Sequence, residues 1–118
     1  QRFTEYDVLS PRYVIANGNY NLNDFHFPLI IKPTDRSGSR GVKKVLDIFD
    51  VKEAVERAKI ESFTNQAIIE EYITGSEVSV ETISWQGTHY ILAITDKVTT
   101  GEPYFVELEH HQPSKLNI

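Results

Sequence analysis

The sequence has no cysteine, no methionine and a single tryptophan, and no apolar run near the roughly 20 residues that a membrane span needs. The missing cysteines exclude a disulfide scaffold and a thiolate zinc site, and they agree with a cytoplasmic protein. The missing methionine, an initiator included, is expected of a chain that begins partway into a longer one. No signal peptide is visible. Positive charge is also short. Twelve lysines and arginines stand against 17 acids, a net charge of −5, and the bases are scattered among the acids. Nucleic-acid binding calls for a clustered positive face, so neither nucleic acid nor a membrane is an expected partner.

What remains is a globular composition, with 40% apolar and 11% aromatic residues, too apolar for a disordered chain. A length of 118 residues suits one domain, or one domain plus part of another. A chain of this size buries only part of its surface, so a flat region of it can lean on segments outside it. Oligomers are possible, and nothing in the pattern selects one.

Residues 12–16 (Arg-Tyr-Val-Ile-Ala) are β-prone and follow the turn dipeptide Ser10-Pro11. Residues 17–23 read as loop. Phe27 to Pro33 is an aliphatic strand bounded by prolines, and Val42 to Ile48 resumes as a second strand, so the two form a hairpin with a long tip. Asp50 and Glu53 have capping-box spacing, which predicts a helix running to about Phe63. Val51, Ala54, Val55 and Ala58 share one face of it, and Glu53 and Arg57 pair at i,i+4. Ala67 to Ile73 is a further strand. Residues 77–84 and 89–98 alternate around Gln86-Gly87, a tight-hairpin signal, with Val78 and Val80 expected in the core. Tyr104 to Glu109 is a last short strand. The order is that of an α+β fold.

Three clusters carry chemistry. Lys32 is launched from the rim of an aliphatic strand, where its ammonium can meet a phosphate; the plain alternative is a lysine snorkelling to water. Directly after it come Thr34-Asp35-Arg36-Ser37-Gly38-Ser39-Arg40-Gly41. Small residues there let successive amides approach an anion, with hydroxyls from Ser37 and Ser39 and charge from Arg36 and Arg40. The loop matches neither a Walker A motif nor Gly-x-Gly-x-x-Gly, and otherwise it is a solvated hairpin tip. Glu70-Glu71-Tyr72-Ile73 ends a strand whose adjacent carboxylates must face opposite ways. Its free end offers backbone groups able to read an adenine edge. Glu77 shares a face with Glu81 and can accept two hydrogen bonds from a ribose diol. Asp96-Lys97 reads as a simple exposed pair. His110 and His111, adjacent in a strand, project oppositely and make a poor chelate, and no catalytic nucleophile arrangement is present.

Taken in order, Phe27-Pro28-Leu29-Ile30-Ile31-Lys32-Pro33, Ser37-Gly38-Ser39-Arg40-Gly41-Val42, Ile69 to Gly75 and Glu77-Val78-Ser79-Val80-Glu81 resemble the ATP-grasp superfamily. The likeness spans about residues 10–113 and points to the branch of carbamoyl-phosphate synthase, biotin carboxylase and carboxylate–amine ligases. The resemblance implies the small, nucleotide-clasping lobe over residues 1–75, with a mixed or antiparallel sheet and one or two helices. Residues 76–118 would then be the first antiparallel strands of the larger lobe. It further implies that ATP is bound by Lys32 at its phosphates and by Ser37, Gly38, Ser39, Arg40 and Gly41 as a lid. Glu70, Glu71, Tyr72 and Ile73 would line adenine, Glu77 would hold the ribose, and Lys97 would touch a phosphate. The implied reaction activates a small-molecule carboxylate as an acylphosphate for attack by an amine. The implied magnesium ligands, a glutamate and a Glu-x-Asn motif, fall beyond residue 118, so no metal ligand and no catalytic residue is expected here. Glu109 departs from the family, which usually has a small residue before the histidine. Two other readings stay open: a nucleotide-binding module without catalysis, and an interaction domain using its sheet edge.

Overall fold

The computed structural model describes residues 2–102 and 105–116. The chain divides into two compact units, Gln1–Ile73 with Glu102–Tyr104, and Thr74–Gly101 with Phe105–Ile118.

The first unit opens with a one-turn helix α1 (Arg2–Glu5) and builds a four-stranded antiparallel sheet from β1 (Tyr13–Ile15), β2 (Leu29–Pro33), β3 (Lys43–Val45) and β4 (Ala67–Glu71). The strand order is β1-β4-β2-β3. Helix α2 (Ile48–Glu61) packs on one face only. Strand periodicity decides which residues meet it. Leu29 and Ile31 of β2 are fully buried, as are Ala67 and Ile69 of β4, and they close against Val51, Ala54, Val55 and Ala58 of α2. That helical face is the one expected from the i,i+3/i+4 spacing. Each of the leucine, isoleucine and valine side chains among them contributes about 1.5–3 kcal/mol when removed from water. Ile30 and Lys32 alternate onto the opposite face, away from the helix, where both are half-buried.

The start of α2 differs from expectation. Strand β3 stops at Val45 instead of continuing to Ile48, and Asp47 rather than Asp50 caps the helix. Asp47 is extended (φ −148°, ψ 171°) and its carboxylate accepts from the Phe49 N–H at 2.9 Å. Asp50 instead lies in the first turn, where a negative charge still meets the positive helix end. The helix ends at Glu61, two residues short of Phe63. Ser62 turns extended there, its hydroxyl accepting from the Thr64 and Gln66 amides. The Glu53–Arg57 pair forms on the exposed face at 3.8 Å.

The second unit is a three-stranded antiparallel meander of β5 (Val78–Trp85), β6 (Thr88–Thr99) and β7 (Glu107–His111). Gln86 and Gly87 both have positive φ (48° and 80°), the conformation of a two-residue turn that matches strand twist. Val80, expected in the core, is 52% exposed, because among the described residues no helix or second sheet of this unit packs on its face. The last strand begins later than expected, at Glu107; Tyr104 lies outside the described residues. Among the described residues, no helix is long and apolar enough to cross a membrane.

Candidate functional site

On the face of the first sheet away from the helix, the register sets Ile30 beside Glu70 and Lys32 beside Ile68. The Lys32 ammonium lies 2.7 Å from Glu70 Oε2. Glu71 projects to the other face, with its carboxylate 3.7 Å from Arg12 Nε, so the two adjacent acids part as strand geometry requires. The Glu71 N–H is taken by the Arg12 carbonyl and the Tyr72 N–H by the Pro28 carbonyl. Ile73, past the end of β4, is 64% exposed.

The Thr34–Gly41 loop is held at both roots and open at its tip. At the first root, Asp35 accepts from the Phe63 and Thr64 amides (3.2 and 2.9 Å) and from the Thr64 hydroxyl (2.9 Å). Burial works to raise its pKa. The Thr64 and Ser62 side chains and the two amides outweigh this and hold it below the ordinary carboxylate value. Arg36, expected to add charge for an anion, is instead committed elsewhere. It donates to the Glu61 carbonyl at the end of α2 and stacks on Phe63, 3.9 Å from the ring centre. An exposed helix C-terminus attracts a guanidinium, and the aromatic ring adds a cation–π contact.

At the second root, Gly41 has φ +71°, and a Cβ there would lie 2.9 Å from Pro33 Cγ and 3.0 Å from Glu61 Cβ. Between the roots Ser37, Gly38 and Arg40 are exposed, and Gly38 and Ser39 both take positive φ. Arg40 makes no ion pair among the described residues, so it is the loop's available cation. The loop also borders a cavity of about 290 Å³ against α2. Lys43, paired with Ile31, lines that hollow from the helix side; Lys32 is not among its lining residues.

One residue of this face went unnoticed in the sequence. Lys44 pairs with Ile30 and so shares the face of Lys32. Its ammonium sits 3.8 Å from the centre of the Tyr72 ring and is bonded to Glu102. The period-2 count from Ile30 across the hairpin was the signal that could have found it.

In the second unit, Glu77, immediately before β5, lies beside Lys97 of β6 and accepts from its backbone N–H. The Lys97 ammonium bonds both Glu77 and Glu107, the latter at 2.7 Å. His110 approaches the other Glu107 oxygen at 3.3 Å. Burial works to lower the Lys97 pKa, but its hydrogen bonds to Glu107 and Glu77 outweigh it and the net shift is upward. Asp96 points to the opposite face and accepts from the Ser114 hydroxyl and the Lys115 amide. Asp96-Lys97 is therefore not a simple exposed pair. His111 turns to Glu109, confirming that the adjacent histidines diverge. Among the described residues, no group of three histidines or acids could hold a metal ion.

The first unit is thus a helix-backed antiparallel sheet with Lys32 and Lys44 on the face away from the helix and a glycine-bearing loop rooted at its edge. The model for the ATP-grasp domain matches residues 25–117, and the chain belongs to that family. It is 29% identical over 96 residues to a D-alanine–D-alanine ligase of Flavobacterium psychrophilum, covering 81% of this chain and 29% of that protein. It is 27% identical to a carbamoyl-phosphate synthase of Methanobrevibacter smithii, covering 77% of this chain and 24% of that one. The VanG D-Ala:D-Ser ligase from Enterococcus faecalis superposes with a TM-score of 0.75 at 19% identity, over 98% of this chain and 37% of that one. At that identity the superposition speaks for the fold. The chain spans less than a third of the length of these two curated relatives.

Proposed function

We propose that this chain is the nucleotide-clasping part of an ATP-dependent ligase, with residues 1–75 as the small lobe and 76–118 as the beginning of the larger one. The observation that carries the reading is the sheet face away from α2, on which Lys32, Glu70 and Tyr72 stand together beside the doubly rooted loop. Lys32 would exchange its Glu70 partner for phosphate oxygens, a charge-assisted bond of similar strength. Ser37, Gly38, Ser39, Arg40 and Gly41 would supply the lid, with only the tip moving because both roots are pinned. Glu71 and Ile73 would meet adenine through backbone groups beside Glu70 and Tyr72. Glu77 would take the ribose and Lys97 a phosphate.

The donor set, made of ammonium groups and loop amides, fits a polyphosphate, and the described residues do not form a magnesium site. In the whole protein the bound nucleotide would activate a small-molecule carboxylate as an acylphosphate, which an amine then attacks. The relatives' names support amide- or carbamoyl-forming chemistry of this kind.

Calorimetric titration with ATP tests the reading. Lys32→Ala should weaken ATP binding about tenfold or more, the loss of one charge-assisted contact. Unchanged affinity would remove Lys32 from the site and with it the proposal. For the ligase claim, the full-length protein should release ADP in the presence of a carboxylate and an amine; nucleotide binding without turnover across such pairs argues for a binding module.

A further inference from the structure

The second unit holds a conflict that the assigned roles do not resolve. Glu77, the proposed ribose acceptor, and Lys97, the proposed phosphate contact, are bonded to each other. Neither can serve a nucleotide fully while that bond lasts. A lysine ammonium has three N–H donors, and here two are already spent on carboxylates. The second of these, Glu107, is not among the proposed nucleotide contacts. It sits across the β6–β7 ladder on the same face, and its second oxygen is engaged by His110, which is paired with Lys97 in the register. Glu107 is therefore anchored independently of Glu77.

We propose that Glu107 is the positioning residue for Lys97. When Glu77 turns to a ribose diol, Glu107 keeps the ammonium in place and leaves two N–H donors for phosphate oxygens, while His110 fixes the orientation of Glu107. Without Glu107 the released lysine would sample many rotamers, and ordering it again would cost entropy at every binding event. This inference rests on the nucleotide reading of Lys97 and Glu77, and the choice of ligands separates the two.

Inorganic tripolyphosphate has no ribose, so of this pair it reports on Lys97 and not on Glu77, whereas ATP reports on both. With each ligand titrated into the chain at up to millimolar concentration, Glu107→Gln should weaken both by the same factor, about two- to fivefold for a partly exposed ion pair. Glu107→Asp should recover most of the loss. Glu77→Gln should weaken ATP alone and leave tripolyphosphate unchanged or tighter. The Lys97 ammonium signal in nitrogen-15 NMR should stay visible in Glu77→Gln and vanish in Glu107→Gln, even without ligand. The positioning role is overturned if Glu107→Gln leaves tripolyphosphate binding unchanged or improves it, since Glu107 would then only compete with phosphate. If Lys97→Ala changes neither ligand, or if neither binds the unaltered chain, the nucleotide reading of Lys97 itself fails and the positioning role goes with it.

Discussion

The two sheets of this chain are built alike and finished differently. Both are antiparallel throughout, the first in the order β1-β4-β2-β3 and the second a simple meander. The first has a helix across one face, and all ten of the buried hydrophobic residues among those described belong to it. Among the described residues the second has one buried residue, Thr95, while Ile83, Trp85, Ile91, Leu92 and Leu108 each show more than half of their surface. A sheet gains little from an apolar face until something covers it. The first unit therefore carries its own stability, and the second presents aliphatic surface that is not yet stabilising anything.

The contrast is broken most directly by paired truncations. Ile31→Ala in the first unit should cost about 2–5 kcal/mol in urea unfolding, the range for a buried aliphatic reduced to alanine. Ile83→Ala in the second should stay within about 0.5 kcal/mol. Equal losses would mean that the second sheet has a core of its own. Next in size, Gly41→Ala should cost about 1–3 kcal/mol, because a side chain there must occupy a left-handed conformation and press on Pro33 and Glu61. Removal of the helix cap by Asp47→Ala should cost about 1 kcal/mol, read in the same assay.

The smallest effect is one of pH. Asp35 in the first unit and Asp96 in the second are both held below the ordinary carboxylate value in the folded chain. For a depressed carboxylate the unfolded chain takes up its proton first as pH falls. The stabilisation is thus present at neutral pH, shrinks as pH drops through the ordinary carboxylate value, and is gone below the folded-state value. The melting temperatures of the native chain and Asp35→Asn should differ at pH 7 and converge in that acid window. Constant separation down to the lowest pH would show that the Asp35 contacts do not depend on its charge.

Much of this organisation is legible in the sequence because local rules and the fold agree. Val51, Ala54, Val55 and Ala58 announce the covering helix, Gln86-Gly87 the turn, and the aliphatic run between two prolines the strand that carries Lys32. The misses share a cause. Asp47 and Asp50 are both credible caps, and the choice depends on where β3 stops, which is set by pairing with β2 rather than by local spacing. Arg36 looks like a phosphate ligand until the end of α2 arrives beside it from 25 residues away. Val80 alternates as a core residue should, yet alternation tells only which residues share a face and not whether that face is covered. The partners of Lys97 became visible only with the register of β5, β6 and β7.

The single tryptophan adds a practical consequence. Trp85 sits at the turn end of the bare sheet and is 69% exposed, so its emission is a private optical reporter of the second unit. The helical circular dichroism comes mainly from α2 in the first. Followed together during denaturation, the two signals read the two halves of the chain in separate colours, without a label on either.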